Sequence, residues 1–104
     1  MNVGYDVTGN VKAIEWIKTE ILGAVTTLHR ILLKGTKASQ DMILESLASI
    51  IILTYLLSRR LGIDFLSVDL EVQNKLKIGI LEGDDIEKDY GDLSKLLKYI
   101  SQRK

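Results

Sequence analysis

The sequence contains no cysteine and no proline, a single histidine, and few aromatics: one tryptophan, one phenylalanine and four tyrosines. Without cysteine there is no disulfide, no thiolate zinc site and no cysteine nucleophile. Without proline nothing forces a break in a helix. Neither sign of charge predominates, since 14 Lys and Arg balance 14 Asp and Glu. The chain therefore lacks the overall basic field that draws proteins to nucleic acid, and no nucleic-acid module is predicted. Membrane-length apolar runs are also missing. The uncharged run from Ser46 to Ser58 has 13 residues, about 20 Å as helix against a hydrocarbon layer of roughly 30 Å. It is predicted to be a buried helix of a soluble protein. The opening MNVGYDVTGN has none of the basic, apolar and small-residue regions of a signal peptide, so a cytoplasmic protein with no membrane partner is expected.

What is present is an abundance of apolar residues, 46% of 104, with 27% charged. That balance suits a folded helical domain, and one domain spanning 1–104 is predicted. Residues 1–9, with Gly4 and Gly9, read as an arm. Asn10 is a plausible N-cap for a helix from Val11 to Leu33, where two apolar rows run side by side. One is Val11, Ile14, Ile21, Val25, Leu28 and Leu32; the other is Ile14, Ile17, Ile21, Ala24, Leu28 and Ile31. A face that wide can contact two helices. Gly35 is placed to end the helix in the left-handed conformation.

Thr36 or Ser39 can cap the second helix, whose segment Ile43–Asp64 is the predicted core. Its apolar residues go nearly all the way round, so it needs cover on several sides. Ile50, Ile51 and Ile52 favour a strand locally, but a run this long without Gly or Pro exceeds strand length. Gly62 repeats the stop. Asp64 or Ser67 starts a third, one-sided helix. The acidic residues Glu82, Asp84, Asp85, Glu87 and Asp89 are expected to form a loop or irregular turn, and 84–104 to comprise that acidic loop and a last helix capped by Asp92. A calcium loop over Asp85, Glu87 and Asp89 is excluded because its sixth position is Tyr90, not Gly, and its twelfth Leu96, not Glu.

The second helix carries a resemblance. Glu45, Ala48, the apolar run and Leu61-Gly62-Ile63-Asp64 are similar, in register, to the second helix of the MazG-like all-α nucleoside triphosphate pyrophosphohydrolases. That segment typically reads Glu-Glu-x-Ala-Asp, an apolar run, then Leu-Gly-Ile-Asp. Trp16 stands shortly before the place of the family's Glu-Glu-x-x-Glu motif. The chain itself reads as two long helices and two shorter ones, and the resemblance implies that they form an all-α bundle completed by oligomerisation into a dimer or tetramer. It also implies Mg²⁺ held by carboxylates three residues apart on two facing helices.

At the places of those ligands the sequence has Thr19, Glu20, Gly23, Ser46 and Ser49. Only Glu20 is a carboxylate. Glu45 matches a neighbouring family Glu, but side chains at i and i+1 diverge by about 100° on a helix. The family's phosphate-facing Lys, Asn and Arg fall on Lys75, Gly79 and Glu82, so only the Lys is kept. A glutamate in place of arginine reverses the charge presented to a phosphate.

Glu20 and Glu45 are thus the candidate metal ligands, and Lys75 and Trp16 the candidate nucleotide contacts. Each also has a plain explanation as a helix-surface residue, as does His29, which has no paired ligand. Ser46 and Ser49 lack a neighbouring base and are not nucleophiles. The expected function is a MazG-like protein with impaired catalysis that binds nucleotide or protein and requires no cofactor. The alternatives are a weak Mg²⁺-dependent nucleoside triphosphate pyrophosphohydrolase and a helical interaction module that does not bind nucleotide.

Overall fold

In a computed structural model, which describes residues 7–103, the chain is all-α. It comprises α1 (Val7–Leu33), a 3₁₀ turn (Gly35–Lys37), α2 (Gln40–Arg60), α3 (Phe65–Glu82), α4 (Asp85–Tyr90) and α5 (Asp92–Gln102). No strand occurs among the described residues. Two compact units divide at Ile63 and Asp64. The first holds α1 and α2, the second α3, α4 and α5.

In the first unit α1 begins four residues before the predicted boundary, and Asn10 lies inside it rather than capping it. The Asn10 side chain is engaged elsewhere. Its Nδ2 donates to the Arg60 carbonyl at 3.0 Å, and Arg60 Nη1 donates back to Oδ1 at 3.3 Å. That exchange joins the start of α1 to the end of α2 and so makes the pair antiparallel. Of the predicted arm, residues 1–6 lie outside the described residues, and Val7 to Gly9 are helical.

The second of the two predicted apolar rows packs on α2. Ile17 and Ile31 are 4% and 5% exposed, and Ile14, Ile21, Ala24 and Leu28 are half-buried. Val11, Val25 and Leu32 of the first row stay exposed. The wide face thus meets one helix in its unit, not two.

Ser39 caps α2, its Oγ accepting from the Met42 amide at 3.0 Å. At the other end Gly62, with φ +83°, closes the helix: its amide donates to the Arg59 carbonyl, and Ile63 donates to Ser58 at 2.8 Å. The crossed pair of bonds is the one a glycine at that place makes possible. The expected burial of α2 does not occur. Only Ser46 and Ser58 are buried along it, and Ile51 is 56% exposed. The reason is geometric: α1 covers one side of a helix that is apolar on nearly all sides. With its charged ends counted, α2 is also the one helix among the described residues long and apolar enough to cross a membrane.

In the second unit Asp64 caps α3, accepting from the Ser67 amide at 2.8 Å. Gly79 lies where α5 crosses, and a Cβ there would stand 2.8 Å from Leu93 Cδ1. Its missing side chain is what lets the two helices approach. Asp69 of α3 and Arg103 after α5 form an ion pair at 3.3 Å.

The acidic segment is not a loop. Asp84 accepts from the Ile86 amide at 3.0 Å and starts α4, since an aspartate at that place satisfies a free amide and opposes the helix dipole. Asp92 is likewise not the cap of α5; Gly91 is, with φ +67° and no side chain to offer. Glu87 substitutes. Its carboxylate accepts from the Ser94 amide at 3.0 Å and from the Ser94 hydroxyl.

The Ser94 hydroxyl first, and then its amide, hold the Glu87 carboxyl below its ordinary value of 4.5. A depressed carboxylate stabilises the fold above its unfolded-state pKa, and that contribution is lost as the pH falls through the lowered native value. Glu87→Ala should therefore lower the thermal midpoint at pH 7, and the gap from wild type should close on acidification below about pH 4. Circular dichroism melts across pH 3 to 7 check this; a gap that widens in acid contradicts it.

Candidate functional site

A groove of 730 Å³ runs between α1 and α2. On α1 its lining includes Trp16, Glu20, Gly23 and Thr27, spaced i, i+4, i+7 and i+11 along one helix face. On α2 it includes Glu45, Ser46, Ser49, Ile52 and Leu56. Four of the five positions at which the sequence resemblance places metal ligands, 20, 23, 46 and 49, therefore meet in one groove. Thr19 does not line it; its hydroxyl donates back to the Glu15 carbonyl at 3.0 Å.

Three of the four candidate site residues line the groove: Trp16, Glu20 and Glu45. Lys75 belongs to the second unit, exposed on α3. The groove walls also include Thr27, Ile31 and Met42, none of them among the candidate site residues. The signal was present for α1: continuing from Trp16 and Glu20 at helical spacing reaches Thr27 and Ile31.

The charges in the groove are two carboxylates with no lysine or arginine among its lining residues. Their separation follows from the pairing. Counting back from the Asn10–Arg60 contact, and forward from the ends at Leu33 and Gln40, puts Glu45 level with about residues 25 to 28 of α1. That is five to eight residues past Glu20, or about 10 Å along the groove at 1.5 Å per residue. Side chains lean toward the N-terminus of their own helix. In an antiparallel pair, Glu20 leans toward the start of α1 and Glu45 toward the start of α2, which are opposite ends. The two carboxylates diverge.

This donor set does not fit the Mg²⁺ ion that the resemblance implies. Mg²⁺ wants six oxygens at 2.0–2.1 Å in near-octahedral array. Among the described residues no three His, Asp or Glu side chains gather to hold a metal ion. Ser46 is buried, and Gly23 has no side chain to contribute.

An α-helical hairpin with an acid- and hydroxyl-lined groove between its long helices is the class of protein these features define. Residues 7–93 match the family model of the MazG-like family. The match spans most of the chain, which belongs to that family and so is related to the nucleoside triphosphate pyrophosphohydrolases. No curated protein and no solved structure matches the chain.

If the two carboxylates diverge as described, millimolar Mg²⁺ should leave the thermal midpoint unchanged, since a ligand stabilises only in proportion to its occupancy of the folded state. A rise of about 2 °C or more that Glu20→Gln removes contradicts the geometry.

Proposed function

We propose that this MazG-like protein does not turn over nucleoside triphosphates and acts by binding, with no metal required. The observation that carries the proposal is the groove itself: it keeps the family's frame, yet its only acids are Glu20 and Glu45, set about 10 Å apart along the groove. Hydrolysis in the related enzymes depends on metal to neutralise the triphosphate and orient water. Two diverging carboxylates do neither, and they repel a polyanion.

Purified protein incubated with the common ribo- and deoxyribonucleoside triphosphates and either Mg²⁺ or Mn²⁺ should release no pyrophosphate above the protein-free rate. Release that Glu20→Gln abolishes makes the protein a weak pyrophosphohydrolase and overturns the proposal.

We also propose that the protein is a homo-oligomer, a dimer or tetramer, in the cytoplasm. Leu44, Leu47 and Ile51 are exposed and share one face of α2, turned by about 130° from the groove-lining face of Ser49, Ile52 and Leu56. Each such side chain contributes about 1.5–3 kcal/mol when fully buried. A subunit interface suits this face better than a bilayer, because Asp41 and Glu45 at one end and Arg59 and Arg60 at the other confine the uncharged run to 13 residues, about 20 Å of helix. Light scattering after size exclusion should give roughly two or four times 11.7 kDa, and Ile51→Glu should reduce it. A clean wild-type monomer contradicts the oligomer.

A further inference from the structure

We infer that the groove between α1 and α2 docks an amphipathic helix of a different protein, one carrying two Lys or Arg side chains seven residues apart that sit on Glu20 and Glu45. The inference rests on the proposal that the groove does not process nucleotides, and it names the kind of partner the groove takes instead.

Shape is the first argument. Trp16 and Ile31 line opposite ends of the α1 wall, about 22 Å apart at helical rise. A channel that long between two parallel walls matches a helix of about four turns, which docks by laying its apolar face into an apolar groove. The chemistry of the lining agrees. Trp16, Met42, Ile52 and Leu56 give apolar walls, while Gly23 is exposed, has no side chain and admits the backbone of a third helix closely.

Charge then selects the occupant. The groove has two carboxylates and no cation of its own. The helix positions that bear them are about 10 Å apart along the groove, a spacing that corresponds to i and i+7 of a docked helix, on the same face two turns apart, and the long Lys or Arg side chains reach the outward-leaning carboxylates. Cations at those positions satisfy both carboxylates at once.

The protein's own helices cannot supply this pattern. Lys12, Lys18 and Arg30 on α1, Arg59 and Arg60 on α2, Lys75 and Lys77 on α3, and Lys95 and Lys98 on α5 include no pair seven residues apart on one helix, and Lys88 and Lys95, which have that spacing, lie on two helices, α4 and α5, broken at Gly91. A second copy therefore does not present the matching charges, and the proposed contact between copies uses the other face of α2.

Trp16 is the sole tryptophan and is 58% exposed in the groove wall, so its emission reports occupancy directly. The probe is a tryptophan-free helical peptide of alanine and leucine with Lys at i and i+7, titrated into the full-length protein at low salt. Saturable blue-shifted emission is expected. Replacing both Lys by Glu should weaken binding about tenfold, as should moving the second Lys to the opposite helix face, and Glu20→Gln or Glu45→Gln about threefold each. Unchanged helicity by circular dichroism establishes that these variants are folded.

Equal affinity for the Lys and Glu peptides overturns the inference. So does an emission shift with protein concentration alone, which puts a second copy in the groove, or a shift with nucleoside triphosphate that Glu20→Gln alters. Pyrophosphate release from the same preparation is read separately: turnover defeats the non-hydrolysing proposal, whereas failure of the peptide to bind without turnover defeats only this inference.

Discussion

The contact of Ile17 and Ile31 with α2 is what the first unit depends on. These are two of the three buried apolar side chains among the described residues, and they fix both the distance and the register of the long helices. The exchange between Asn10 and Arg60 at one end and the short Gly35–Lys37 turn at the other hold that register. The groove is its consequence. Because only one stripe of α1 is in contact, the neighbouring stripe containing Trp16, Glu20, Gly23 and Thr27 forms an open wall.

Helical periodicity made much of this readable. The row through Ile17 and Ile31, the stops at Gly35 and Gly62, and the caps at Ser39 and Asp64 are local features whose cause lies within a few residues. What could not be read was the occupancy of surfaces. The all-round apolar character of α2 signals that it needs covering, yet nothing within the run says that α1 alone covers it in this unit. The acidic segment misled for a related reason. A dense set of Asp and Glu suggests a solvated loop, but Asp84 at the first position and Lys88 one turn on make α4 possible, and the reach of Glu87 to Ser94 depends on a fold-back at Gly91 that no periodicity reveals.

The site was legible to a similar degree. Glu20, Glu45 and Trp16 were identifiable from spacing and resemblance, and all three line the groove. Lys75 falls in the second unit. On the resemblance, frame and chemistry separate. The apolar run of α2 and Leu61-Gly62-Ile63-Asp64 carry the resemblance, whereas Gly23, Ser46 and Ser49 fall at places where it calls for carboxylates. Packing constrains the first set through volume and contact; nothing about packing requires an acid at the second, and small residues there leave the groove open.

That separation is tested most directly by placing acids at those three positions. Manganese binding, followed by electron paramagnetic resonance, should be weak in the wild type and at least about tenfold tighter in the triple variant Gly23→Glu, Ser46→Glu, Ser49→Asp, because four carboxylates then converge where Glu20 now stands alone. Wild-type protein that binds manganese as tightly as the variant contradicts the account.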